Sequence, residues 1–228
     1  MKKDNDWHNI STEEMLERSS SQNDVSITKP GDLAVRIGLL LLMPYIIWLS
    51  KYNDSYVASI HGKVIRLNFD GVMLSFHNLM NGANMIVHEA GHGICYLLPC
   101  PQFFMFLNGT LFQLALPLIF IYYYYKRGNT VLSGLGSIWL AQNLIYVAWY
   151  MSYAQTPNRY PFFLGGSATH DFWYMFSQLG VLEYDWLIAG FVRAVAVMLL
   201  LASYMYLLYI SFFQKSKRTR RRSSKGRR

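Results

Sequence analysis

Two cysteines in 228 residues are too few for a disulfide framework, and charged side chains make up only 15% of the chain. So little charge leaves too little solvated surface for a soluble domain of this size, and 53% of the residues are hydrophobic. Residues 1–32 are polar throughout, so no N-terminal signal peptide is expected among them. The first apolar run is therefore expected to do the targeting. Acidic groups are scarce beside basic ones, giving a formal net charge of +8. Nine Lys and Arg lie between Lys215 and Arg228 with no acid among them, so the rest of the chain is within one unit of neutral. A basic run that follows an apolar span reads as a cytoplasmic anchor on anionic lipid and not as a specific nucleic-acid site.

What the chain does have is long apolar runs, separated by short polar stretches. They predict an all-α fold: a polytopic helical bundle in the lipid bilayer, of about five spans, with one short re-entrant or interfacial helix. Residues 1–32 form a polar arm, 33–213 the transmembrane domain and 214–228 the basic tail. The expected spans are Leu33–Ser50, Val72–Leu98, Phe103–Tyr125, Thr130–Tyr153 and Trp186–Phe213. Arg36 is placed to snorkel or to pair with Asp32, and Trp48 and Tyr52 to sit at the membrane interface. Cationic side chains favour the cytoplasmic side, which puts the tail and the Lys126-Arg127 turn there. With five spans, the N-terminal arm and the segment around His170 then lie outside. Of the two polar segments, 51–70 reads as a hairpin or interfacial loop. The other, 154–185, carries Gly165-Gly166-Ser167 and then a short helix capped by Ser167 or Thr169.

The second span holds His88-Glu89-Ala90-Gly91-His92, an H-E-x-x-H pentad. Positions four apart share a helix face, so His88 and His92 can grip one metal ion, with Glu89 beside it to take a proton from water. Ionisable groups in an apolar helix are costly unless paired, metal-bound or facing a cavity, which favours a metal site over a hydrogen-bonded polar knot. Gly91 and Gly93 allow a neighbouring helix or a substrate backbone to come close. A catalytic zinc takes three protein ligands. The third is sought among His170, Asp171, Cys95 and His77. Cys95 lies on the right face but reads more readily as a small apolar filler. His77 is about 16 Å from His88 along the helix, too far for the same ion. His170 and Asp171 form the better pair, one to ligate and the other to orient it. Asn108, Gln113, Gln142 and Asn143 read as interhelical hydrogen bonds or as groups that hold a substrate strand. Arg193 is placed to pair with Glu183, Asp185 or a lipid phosphate.

The pentad in its apolar helix resembles the intramembrane zinc metalloproteases of the site-2 protease class. The run HEAGH, then GTLFQLALP, then GG..HDFWYMFSQLGVLEYD resembles more closely a family of bacterial HEAGH integral-membrane proteins, over roughly Val72 to Asp185. That resemblance implies Zn2+ held by His88 and His92, Glu89 as general base, and His170 and Asp171 in the remaining ligand role. The Asn-Pro and Leu-Asp-Gly type motif that supplies the third ligand in site-2 proteases is not found. The function so implied is a zinc-dependent metallopeptidase of the bacterial inner membrane that hydrolyses a peptide or membrane-protein substrate by metal-activated water. The alternatives are a non-catalytic metal-binding or scaffolding membrane protein, and a hydrolase of a lipid-linked amide.

Overall fold

The computed structural model describes residues 33–51, 69–159 and 169–213. The N-terminal arm, the 52–68 segment with Tyr52, the Gly165-Gly166-Ser167 stretch and the basic tail lie outside the described residues. Six α-helices make up the described part: α1 (Leu33–Ser50), α2 (Phe69–Leu97), α3 (Gln102–Lys126), α4 (Thr130–Met151), α5 (Asp171–Leu179) and α6 (Asp185–Phe212). Two single 3₁₀ turns, Pro157–Arg159 and Leu182–Tyr184, lie in the connections. The fold is the expected all-α bundle, with no strand among the described residues.

Four helical stretches are long and apolar enough to cross a membrane: α1, α3, α4 and Leu182–Phe212, which includes α6. Large apolar side chains point outward on three of them, including Leu41, Ile119 and Phe191, as lipid-facing surfaces require. The fifth expected span, α2, has the length at 29 residues but is more polar. Its buried face is a stripe of His77, Asn81, Asn84, His88, Gly91 and Cys95. The steps of four and three keep all six on one side of the helix. Polar groups at such depth must turn toward protein, and these do.

α4 is the central helix. From Ala141 to Tyr150 every residue but Leu144 is buried, and the helix packs most extensively on α6. Gly134 lets the two come close, since a Cβ there would stand 2.5 Å from Leu207. The α3–α4 turn is built by local chemistry. Gly128 adopts φ 67°, which a side chain resists, and the Asn129 amide bonds back to the Tyr124 carbonyl at 2.9 Å. The Asn129 side chain then caps α4 by accepting from the Leu132 amide at 3.1 Å.

α2 and α3 form an antiparallel pair. Pro99 and Pro101 prevent α2 from continuing, because proline lacks an N–H and disfavours helix in the residue before it. A Cys95–Cys100 disulfide closes the turn between the two helices. This corrects the reading of Cys95 as a free apolar filler or a metal ligand: its sulfur is already bonded, five residues along the chain.

Three further expectations change. Trp48, expected at the interface, is buried at 4% exposure, packed among Tyr45 and His77. Arg36 donates from Nε to the Ser211 carbonyl at 2.9 Å and lies over the Phe212 ring. Tyr204 similarly donates to the Leu39 carbonyl at 2.9 Å. α1 and α6 therefore run antiparallel, and the start of α1 lies at the same end of the bundle as the end of α6. The N-terminal arm was expected on the side opposite the tail; this packing brings Leu33 and Phe213 to one end. Lastly, Asp185, a possible partner for Arg193, is taken by Gln155, whose backbone N–H and Nε2 donate to its two oxygens at 2.9 and 2.8 Å.

Candidate metal centre

Three ligand atoms converge where α2 meets the start of α5. His88 Nε2 lies 2.9 Å from Asp171 Oδ2, His92 Nε2 lies 3.3 Å from the same oxygen, and the two Nε2 atoms are 3.0 Å apart. All offer atoms within 4.8 Å of one another, as one metal ion requires. For zinc at about 2.0–2.1 Å from each ligand, tetrahedral angles separate ligand atoms by about 3.3 Å. The observed edges fall within a few tenths of that value. His88 and Asp171 are buried and His92 is partly buried.

The neighbouring helix is shaped around this group. Gly109 on α3 faces both imidazoles: a Cβ there would stand 2.5 Å from His92 Nε2 and 2.7 Å from His88 Nε2. Any larger residue would press into the space the ligand atoms share. One turn away, a Cβ on Gly91 would collide with the backbone carbonyl of Asn108. The pentad glycine is thus what lets α3 approach α2. Gly93, by contrast, has open space where its Cβ would be.

Each imidazole is held through its other nitrogen. His92 Nδ1 lies 2.7 Å from the Met105 carbonyl. A carbonyl only accepts, so Nδ1 carries the proton, and in the neutral ring Nε2 is a bare lone pair facing the group. His88 Nδ1 lies 3.1 Å from Gln113 Oε1. Behind it, Gln113 Nε2 donates to Asn143 Oδ1 at 2.9 Å, and Asn143 Nδ2 donates to the Trp139 carbonyl at 3.2 Å. A second amide chain braces α2 against α4: Trp139 Nε1 donates to Asn84 Oδ1 at 3.0 Å, Asn84 Nδ2 to Gln142 Oε1 at 3.0 Å, and Gln142 Nε2 to Asn81 Oδ1. All four span amides singled out in the sequence, Asn108, Gln113, Gln142 and Asn143, are therefore interhelical links; Asn108 on α3 donates to Cys95 Sγ on α2 at 2.9 Å.

His170 and Asp171 part company although adjacent. His170 is the N-cap of α5, in place of Ser167 or Thr169: its Nδ1 accepts from the Trp173 amide at 3.2 Å. Burial pushes its pKa down to about 4, so at neutral pH the ring is uncharged and able to accept. Its ring packs on Tyr150 at 4.1 Å. Asp171 follows as the first helical residue, with its backbone N–H donating to Tyr150 Oη at 3.1 Å and its carboxylate turned to the two histidines. Burial works against that carboxylate, but the two histidines beside it outweigh burial and hold its pKa below the ordinary value. Glu89 is exposed and stands outside the group of three ligand atoms, next in sequence to His88. His77 is apart from the site, hydrogen-bonded through Nδ1 to Tyr45 Oη at 3.1 Å.

Gly109, the Met105 carbonyl and Tyr150 were not foreseen as parts of the site. The first had a signal, since Asn108-Gly109-Thr110 interrupts an apolar run; the other two had none. No protein-family model, curated protein or solved structure matches the chain.

The division of labour between the adjacent residues is directly testable. Purified His170→Ala should keep whatever metal the wild type binds and lose only a helix cap, about 1 kcal/mol of stability. Asp171→Ala and Gly109→Val should lose the metal. Zinc analysis showing loss with His170→Ala and retention with Asp171→Ala would move the third ligand to the imidazole.

Proposed function

We propose that the chain is a membrane-embedded zinc hydrolase that cleaves peptide bonds, with His88, His92 and Asp171 holding the metal and Glu89 carrying the proton. The observation that supports this best is the convergence itself. Two imidazole nitrogens and one carboxylate oxygen face one another at 2.9 to 3.3 Å in an apolar surrounding. With the His92 proton committed to Met105, this is a gathering of acceptors that calls for a cation. Two imidazoles and one carboxylate are a donor set found in catalytic zinc sites, which leave one position open.

Zinc held there would supply a Lewis acid that polarises a carbonyl and brings the pKa of water toward about 7. The chain's own part is positioning and proton transfer. Glu89 takes a proton from the attacking water at its carboxylate and returns it to the departing amine. Its exposure, beside buried His88, suits a group that must meet both water and substrate. Asp171 enters from a separate short helix, so the ligand set is complete only when α5 docks on α2. The span amides are engaged with one another, which favours a structural role for them over the holding of a substrate strand.

Two features support an orientation. The Cys95–Cys100 disulfide sits at the α2–α3 turn, at the end of the bundle to which His92 and Met105 belong. Lys126 and Arg127 lie at the far end of α3, and α6 leads at that same end into the basic run. Disulfides persist in oxidising compartments, and basic residues favour the cytoplasm. The metal centre therefore opens toward the non-cytoplasmic side of a bacterial inner membrane, with the C-terminus cytoplasmic and its tail on anionic lipid. The chain has only these two cysteines. In right-side-out vesicles an impermeant phosphine should expose two thiols per chain, counted after denaturation. Thiols already free before reduction, or released only in inverted vesicles, would contradict the orientation.

Non-catalytic metal binding predicts the same ligands but no need for Glu89. Wild type and Glu89→Gln should each hold about one zinc per chain and His88→Ala none. Glu89→Gln should also lower hydrolysis of a transmembrane peptide panel by on the order of 10²–10⁴-fold. Zinc bound with no hydrolysis by wild type across that panel, and no change with Glu89→Gln, would favour the scaffold.

A further inference from the structure

The tautomer of His88 is set from outside the metal centre. An amide contact to Nδ1 does not by itself say which partner donates, because an amide presents an oxygen on one side and an NH2 on the other. Here the ambiguity is removed two residues away. The Trp139 backbone carbonyl can only accept, so the atom of Asn143 that faces it at 3.2 Å must be Nδ2. The other face of Asn143 is then Oδ1, and the Gln113 atom 2.9 Å from it must be Nε2. This turns Gln113 Oε1 toward His88 Nδ1 at 3.1 Å, and Nδ1 must carry the proton. In the neutral ring His88 Nε2, 2.9 Å from Asp171 and 3.0 Å from His92 Nε2, is then the lone pair. Gln113 and Asn143 are 2% and 0% exposed, so water does not compete for these bonds.

We infer that Gln113 and Asn143 are positioning residues of the metal centre: they relay the polarity of the Trp139 carbonyl on α4 through α3 to His88 on α2, fixing the Nδ1–H tautomer with Nε2 free to ligate. Neither side chain touches the ligand atoms of the centre. His92 receives the same instruction directly, from the Met105 carbonyl. Both imidazoles are thus set by backbone carbonyls, one in contact and one at the end of a two-amide chain. Removing the side chain of Asn143 releases the Gln113 amide to rotate, present Nε2 to His88 Nδ1 and move the proton to Nε2. Such outer partners are typically worth 10–100-fold in metal affinity.

The test is long-range 15N–1H correlation on metal-free protein with 15N-labelled histidine in micelles, His88 being assigned by comparison with His88→Ala. Wild type should show His88 protonated at Nδ1. Asn143→Leu should show the Nε2–H form and bind zinc about 10–100-fold more weakly. Gln113→Glu, which keeps an acceptor against Nδ1, should retain the wild-type tautomer where Gln113→Leu does not. An Nε2–H tautomer in wild type overturns the inference, as does a wild-type tautomer in Asn143→Leu at any zinc affinity. The wild-type spectrum decides even if a variant does not fold. The zinc measurement rests on the metal reading above, but the tautomer does not: a chain that shows Nδ1–H and binds no zinc would keep the relay and lose the metal.

Discussion

Two imidazoles and a carboxylate sharing one small volume in an apolar bundle are the constraint on which the rest depends. Left to themselves, three electron-rich atoms at such distances repel, and burial raises the cost. The structure answers with restraints on every side. Met105 and Gln113 hold the rings from behind, Tyr150 holds the backbone of Asp171, and His170 caps the helix that delivers it. Gly109 leaves the volume clear, and Gly91 lets α3 close on α2. The disulfide at the α2–α3 turn and the amide chains to α4 keep those helices in register. Polar links of this kind contribute only about 0.6–2 kcal/mol each between membrane helices. Their number and their shared direction matter more here than their individual strength.

Much of this was legible in the residues. Apolar runs separated by short polar stretches predicted helix limits that the structure moves by three residues at most. The four-residue spacing in the pentad placed His88 and His92 on one face because helix geometry leaves no other outcome. Gly91 and Gly93 were equally expected to admit a close neighbour, and the structure gives that part to Gly91 alone.

Other parts were not legible, for physical reasons. Asp171 reaches His88 across 83 residues, and no local pattern encodes such a meeting. The choice between His170 and Asp171 turns on one backbone step. A capping residue sends its side chain back to the helix N-terminus, whereas the next residue points away from it, and Thr169 offered an equally good cap by type. Cys95 and Cys100 were judged by their number, when their placement around Pro99 was the better guide. Trp48 stands near a span end, where an interface anchor is expected, but its ring turns inward against Tyr45 and His77. The side of the arm was counted from spans, and the count said nothing of how α1 would lie against α6.

Zinc K-edge X-ray absorption on the purified full chain tests whether these three side chains hold one zinc ion. Two imidazole nitrogens and carboxylate or water oxygen are expected at about 2.0–2.2 Å, with no sulfur. Sulfur scattering at about 2.3 Å, or zinc without imidazole neighbours, would contradict it.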